Sequence, residues 1–249
     1  MPPLSVVIIA RNEEDRIGEA IKSVAFADEV VVLDSGSSDS TVALARALGA
    51  RVVETDWPGH VAQKNRALVY ASSDWILSID ADERVSPTLA ASVQAVMAQE
   101  PTAAGFRMSR LSWWMGAPVR HGTWYPDRRI RLFNRRYARW VGIDPHDQVA
   151  VEGEVAPLEG DILHHPYRDL SEHLATIASY TARHVEVAVA RGVRARWWDV
   201  VLRPPLHFVK SILLKGGFRD GIRGWCIAGL GATYVLVKWT RLYLHQEQL

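Results

Sequence analysis

An α/β fold with a mostly parallel sheet flanked by helices is predicted by three observations in the first half of the sequence. Short apolar, β-branched runs alternate with segments of helical period, at a spacing that implies parallel strands covered on both faces. Polar and charged residues able to do chemistry follow each strand. In a parallel sheet such positions share one edge, where open α/β sheets bind ligands.

Leu4–Ala10 is the first strand, and Ile17, Ala20, Ile21 and Val24 then repeat at helical spacing. Glu29–Leu33 predicts a second strand that leads through Asp34-Ser35-Gly36-Ser37-Ser38-Asp39 into a helix over Thr41–Leu48, stopped by Gly49. Arg51–Thr55, His60–Ala71 and Trp75–Ile79 read as strand, helix and strand. Ser86-Pro87 supplies an N-cap and first helical residue, and Leu89, Val93, Val96 and Met97 supply the apolar stripe behind it. After Pro101 the pattern loosens into strand-like pieces at Gly105–Arg110 and Ile130–Phe133, and Ser171–Ala190 reads as a long helix. The expected division is a catalytic domain over residues 1–168 and a helical region over 169–249.

The chain has 249 residues, 48% of them hydrophobic, enough for one large domain with an appendage. Its net charge of +1 hides an asymmetry: residues 191–249 carry ten Lys or Arg against three Asp or Glu, so the tail alone is +7. A single cysteine, Cys226, excludes an internal disulfide and suits a reducing compartment. The opening residues lack the basic region and cleavage site of a signal peptide, which makes the cytoplasm the expected location. The longest uncharged stretch within the tail, Gly224–Val237, has 14 residues, against roughly 20 for a membrane span.

Ser78-Ile79-Asp80-Ala81-Asp82-Glu83 places two carboxylates on the same side of an extended chain, where both can address one divalent cation; a solvated loop is the ordinary alternative. Asp34 can accept hydrogen bonds from a base or ribose, or simply shape a turn and cap. Lys64 can neutralise a diphosphate, or lie on a solvated helix face. No Gly-rich dinucleotide loop or Gly-Lys-Ser/Thr motif is present, so phosphate binding would rest on metal and basic side chains. His121, His146, His164 and His165 lack zinc-ligand spacing. Trp113, Trp114, Trp124 and Trp140, with Arg120, Arg128, Arg129 and Arg131, can stack on sugars and meet phosphates, or pack a semi-irregular region. The tail interleaves Trp197, Trp198, Phe208, Trp225, Trp239 and Tyr243 with basic residues on what read as short amphipathic helices. That pattern suits an anionic membrane surface, and no nucleic-acid motif accompanies it, so no nucleic-acid partner is expected. A helical appendage packed on the catalytic domain or on a dimer partner is the alternative.

Four segments in order carry a resemblance: Ser-Val-Val-Ile-Ile-Ala-Arg-Asn-Glu-Glu (5–14), Val-Val-Val-Leu-Asp-Ser-Gly-Ser-Ser-Asp-Ser-Thr (30–41), Gln-Lys-Asn-Arg-Ala-Leu (63–68) and Leu-Ser-Ile-Asp-Ala-Asp-Glu (77–83). Together they resemble the inverting family 2 glycosyltransferases of GT-A fold. Arg131-Leu132-Phe133, Val141-Gly142 through His146-Asp147, and Lys215–Gly221 resemble, less specifically, the subgroup of lipopolysaccharide core glucosyltransferases acting on heptose. The resemblance implies that Ala10, Arg11, Glu13, Asp34 and Lys64 hold the nucleoside diphosphate, with Arg128 and Arg131 touching diphosphate or acceptor. It implies that Asp82, with Asp80, binds Mg²⁺ or Mn²⁺. Inversion needs a base for the acceptor hydroxyl. The subgroup leads one to expect His-Glu where His146-Asp147 stands; Asp147 is the expected base, one methylene shorter, with Asp144 and Glu152 left open. The implied reaction moves a hexose, foremost glucose from UDP-glucose, onto a saccharide of a membrane glycolipid such as lipopolysaccharide inner core, at the cytoplasmic face of the inner membrane. A polyprenyl-phosphate sugar transferase and a noncatalytic nucleotide-sugar-binding protein are the alternatives, and whether the chain forms a homo-oligomer stays open.

Overall fold

The computed structural model describes residues 2–143 and 146–247, in two compact units. The first comprises residues 1–110 and 127–164, and the second residues 111–126 and 165–249.

The first unit is built on a sheet whose start follows the alternation in the sequence. Strands β1 (Leu4–Ala10), β2 (Glu29–Asp34), β3 (Arg51–Glu54) and β4 (Trp75–Asp80) run parallel in the order β3-β2-β1-β4, connected by α1 (Ile17–Ser23), α2 (Thr41–Ala47) and α3 (His60–Tyr70). Nearly every residue of β1 is buried because alternate side chains enter different cores. Leu4, Val6 and Ile8 join α1 and α4 (Pro87–Ala98) in one cluster; Val7 joins Leu33, Ile76 and Leu68 of α3 in the other.

Beyond β4 the sheet turns antiparallel. It continues through β8 (Asp127–Asn134), β6 (Gly105–Trp114), β11 (Val155–His164) and β5 (Glu83–Val85), the two-residue β7 (Ala117–Pro118) pairs with the end of β6, and a separate antiparallel hairpin pairs β9 (Ala138–Ile143) with β10 (His146–Val151). The looseness expected of this region is therefore corrected: β6 and β11 are regular strands of ten residues each. They lack a continuous apolar run because only part of each strand faces a core. The serine and proline at the start of α4 act as expected. Ser86 Oγ accepts from Leu89 N at 3.2 Å, Pro87 occupies the first turn, and Leu89, Val93 and Met97 are buried, each contributing about 1.5–3 kcal/mol of apolar transfer. Gly160, at φ +93°, lets β11 approach α4 so closely that an added Cβ would stand 2.4 Å from Leu89 N.

The second unit is mainly helical: α5 (Leu170–Ala190), α6 (Trp197–Val209) running on into a π-helical turn at Lys210–Leu214, a 3₁₀ turn at Gly217–Asp220, and α7 (Ile222–Glu247). The expectation of short tail helices is corrected at α7, which runs 26 residues and packs against α5 and α6, with Gly224, Ile227, Ala228 and Leu242 buried. No helix among the described residues is long and apolar enough to cross a membrane. Gly224 permits the closest backbone approach here: an added Cβ would lie 1.8 Å from Gly217 O. The Lys215–Gly221 segment ties the tail to residues 120–122. Asp220 Oδ2 accepts from the amides of Arg120 (3.1 Å) and His121 (2.8 Å), its Oδ1 lies 2.8 Å from His121 Nδ1, and Gly122 N donates to Lys215 O at 2.9 Å.

Candidate active site

Strand register brings the first candidates together. Ala10 pairs with Asp34 on one side of β1 and Ile9 with Asp80 on the other, so Ala10, Asp34 and Asp80 end adjacent parallel strands along one edge. Asp34 is buried and forms the turn after β2: its Oδ1 accepts from Gly36 N at 3.0 Å and Ser37 N at 2.8 Å, and Ser37 Oγ donates to Oδ2. Arg11 is exposed beside it, and Glu13 pairs with Arg16 at 3.4 Å.

At the centre lies Lys64, on the inward face of α3 and only 4% exposed, which removes the solvated-face reading. Its ammonium is 2.9 Å from Asp80 Oδ1 and 2.8 Å from Asp147 Oδ2, and it lies 4.4 Å from the centre of the Trp140 ring. One cation thus joins the end of β4 to the start of β10, the second strand of the hairpin. The hairpin is fixed to α3 next door, where Asn65 Oδ1 accepts from Trp140 N at 3.0 Å and Asn65 Nδ2 donates to Trp140 O at 2.9 Å.

A second buried cation, Arg131 at 3% exposure, braces the other side of Asp80. Its Nη2 donates to Asp80 Oδ2 at 2.9 Å and to Glu83 Oε1 at 2.7 Å. Register explains how a strand residue reaches there: Phe106 opposes Leu132 but Arg107 opposes Ile130, so Arg131 is the extra residue of a β-bulge, a device that re-aims a side chain. Glu83 is fully buried; its Oε2 accepts from Asp80 N at 3.0 Å and its Oε1 lies 3.4 Å from Arg110 Nη1. Arg110 in turn pairs with Asp127 at 2.7 Å, and Asp127 with Arg129 at 2.9 Å.

Burial alone would raise the Asp80 carboxyl, but Lys64 and Arg131 outweigh it and hold the group far below the usual carboxylate range. Burial likewise disfavours the charged Arg131, and the Glu83 and Asp80 carboxylates reverse this and push its pKa up. Asp82 feels burial upward and a stronger downward pull from His164, whose Nε2 is 3.3 Å from Asp82 Oδ2, so its carboxyl also lies low. Both carboxylates are thus held ionised.

The arrangement has spare valence. Nε and Nη1 of Arg131 and Nε1 of Trp140 are buried without a hydrogen-bond partner. Such groups are costly to leave unpaired. The donors suit an anionic oxygen. Among the described residues no set of three or more His, Cys, Asp and Glu converges on a metal position. Asp80 and Asp82 could supply one or two carboxylates to Mg²⁺, with substrate phosphates and water completing its shell.

Of the residues singled out from sequence, Lys64, Asp80, Arg131 and Asp147 meet directly, and Asp82 follows two residues after Asp80. Arg128 is exposed and takes no part in this network, and Glu152 is exposed and paired with Arg139 at 3.5 Å. Asp144 and the side chain of His146 lie outside the described residues. The tryptophan and arginine group divides: Trp140, Arg129 and Arg131 belong to the first unit, whereas Trp113, stacked on His165, and Trp114 and Trp124, around His173, belong to the second. Sequence reasoning gave no role to Glu83, Arg110, Asp127 or the His164–Asp82 pairing. The contact signal was the three-residue β5, which sets Glu83 opposite His164, too short for any periodicity to disclose.

The family model described as glycosyl transferase family 2 matches residues 5–150. The lipopolysaccharide core biosynthesis glycosyltransferase LpsC of Rhizobium meliloti is 29% identical over 248 residues, covering 97% of this chain and 92% of that protein. An uncharacterized glycosyltransferase of Rickettsia felis is 30% identical over 242 residues, covering 90% of this chain and 84% of its own. Among solved structures, glucosyl-3-phosphoglycerate synthase from Mycobacterium tuberculosis in complex with Mn²⁺, UDP and glucosyl-3-phosphoglycerate is 29% identical, with a TM-score of 0.38 over 45% of this chain and 44% of that one.

Proposed function

The chain belongs to glycosyl transferase family 2, and on that premise we propose that it transfers a hexose with inversion from a nucleotide sugar, UDP-glucose as donor, to a saccharide of a membrane glycolipid such as lipopolysaccharide inner core. The role of the Rhizobium relative in lipopolysaccharide core biosynthesis supports this acceptor class. The observation that carries the reading is Lys64, held between Asp80 at 2.9 Å and Asp147 at 2.8 Å.

Ala10, Arg11, Glu13 and Asp34 line the nucleoside side of the strand edge, with Asp34 ordering the turn on which the base would rest. Asp82 and Asp80 would hold Mg²⁺ or Mn²⁺, which supplies Lewis-acid stabilisation of the departing diphosphate. The spare Nε and Nη1 of Arg131 donate to the same leaving group, and Glu83 keeps that guanidinium in place. Arg128 contributes at most a solvent-side contact to the acceptor. Asp147 takes the acceptor hydroxyl proton as oxygen attacks the anomeric carbon opposite the nucleotide. A diphosphate would compete with Asp147 for the Lys64 ammonium, which lies 2.8 Å from Asp147 Oδ2. Residues 1–168 would carry the chemistry and the basic helices of 169–249 peripheral attachment to the cytoplasmic face of the inner membrane.

The test is UDP release from UDP-glucose with a lipopolysaccharide core oligosaccharide and Mg²⁺ or Mn²⁺. Asp147→Asn should lower kcat by about 10²–10⁴-fold with donor affinity kept, and Asp82→Ala should abolish metal-stimulated turnover. Full turnover in Asp147→Asn would remove it as the base. Glucose recovered on a polyprenyl phosphate instead of the oligosaccharide would overturn the acceptor.

A further inference from the structure

The helix α6 is amphipathic the wrong way round for a packed protein. Trp198, Val201, Leu202, Leu206, Val209 and, one turn into the π-helical extension, Leu213 recur at spacings of one, three and four residues, which places them on one face. All six are exposed, Leu206 to 65% and Leu213 to 63%. The residues turned inward are Asp199, Pro204, Ser211 and, as the one large aliphatic among them, Ile212. Asp199 is spent internally, accepting from Arg196 N at 2.9 Å and from Arg203 Nε at 2.6 Å. Folding alone gains nothing from an outward apolar face, and contiguous exposed patches of this kind mark interaction surfaces.

Charge identifies the occupant. Between Arg191 and Arg219, Asp199 is the only acidic residue, whereas exposed Arg194 and Arg196 precede the helix and exposed Lys210, Lys215 and Arg219 follow its apolar face. The Arg196 guanidinium lies 5.0 Å from the centre of the Trp198 ring, so cation and aromatic share the same end. A second copy of the chain would bring two such basic rims together, an unfavourable juxtaposition. An anionic lipid surface accepts both components, the acyl boundary taking the leucines and the headgroups the cations. At about 1.5 Å per residue the helix and its extension could lie along the interface for about 27 Å without spanning it. The exposed Ile222 and Trp225 extend this apolar surface onto the start of α7, where Trp225 meets Phe208 of α6 at 5.8 Å.

We propose that the outward face of α6 and its π-helical extension, Trp198 to Leu213 with the flanking basic residues, is a monotopic membrane-docking surface that inserts into the interface of an anionic bilayer. The proposal rests on the glycolipid reading above, for which it supplies the surface, and it is separable by experiment.

Full-length protein without donor or metal is sedimented with sucrose-loaded vesicles of phosphatidylcholine alone or with phosphatidylglycerol added. Wild type should pellet with the anionic vesicles and lose binding as salt is raised. Leu206→Asp with Leu213→Asp should weaken partition at least about tenfold, and Lys210→Ala with Lys215→Ala by about fivefold per lysine. The lysine pair leaves the apolar face intact and serves should the aspartates disturb folding. UDP release with a water-soluble core oligosaccharide should be unchanged in both variants, whereas vesicle binding without UDP release in wild type would indict the sugar-transfer reading alone. Equal pelleting on neutral and anionic vesicles, wild-type pelleting of both variants, or a dimer by light scattering that Leu206→Asp splits would overturn the docking surface.

Discussion

The first unit hides charge, and the second displays apolar surface. In the first, Lys64, Glu83 and Arg131 lie almost wholly out of water and compensate one another around Asp80. In the second, Leu206, Leu213 and Ile222 stand in solvent while Asp199 and Ser211 are turned inward. Each departs from the usual distribution of residues, in opposite directions, and each departure costs stability unless something outside the chain completes it. The charged cluster retains donors without partners, and the apolar face retains an unburied stripe. Sugar transfer to a lipid-borne acceptor, as proposed above, would use both kinds of unfinished surface.

The contrast breaks most sharply at Glu83. Glu83→Gln leaves Arg131 and Arg110 without their shared carboxylate and should cost about 3–5 kcal/mol in urea unfolding; a loss under 1 kcal/mol would show that the cluster is solvated. A smaller, pH-dependent effect belongs to the opposite end of the sheet. Glu29 is pushed up by partial burial but pulled down more strongly by Ser72 N–H, the hydroxyls of Ser5 and Ser72 and the Arg51 guanidinium, to a pKa of about 2. Since its folded pKa lies below the ordinary 4.5, its stabilisation is present above about pH 4.5 and is lost as pH falls towards 2. Glu29→Gln should therefore cost on the order of 2 kcal/mol at pH 7 and little at pH 2.5, measured as paired unfolding curves. The smallest effect is expected in the second unit, where Leu206→Gln should change stability by no more than about 0.5 kcal/mol. A loss above 1.5 kcal/mol would mean that Leu206 is packed, and the contrast would fail there.

The parallel half of the sheet was legible because strands buried on both faces write themselves as unbroken runs such as Leu4–Ala10 and Trp75–Asp80, followed by their polar ends. The antiparallel half was not. Its strands mix arginine and tryptophan with aliphatics, as in Gly105–Trp114, and their partners lie far away in sequence. Motif spacing reached Lys64, Asp80 and Asp147 but could not show that one ammonium contacts both carboxylates. Glu83 stood within the quoted acidic run, yet its burial depends on β5 meeting β11, a pairing that local pattern does not encode. In the tail, composition announced cations and aromatics. Which face of α6 turns outward depended on what α7 covers, visible only once the two helices are packed.

The clasp of Asn65 on Trp140 has a consequence for how such a protein diversifies. Its side-chain amide copies a peptide unit, giving and accepting one bond each with the backbone of β9. The hairpin that bears Asp147 is therefore indexed to α3 through main-chain atoms, and Lys64 is the adjacent residue on that helix. Exposed hairpin positions such as Arg139 and Ile143 can drift in sequence without moving the carboxylate.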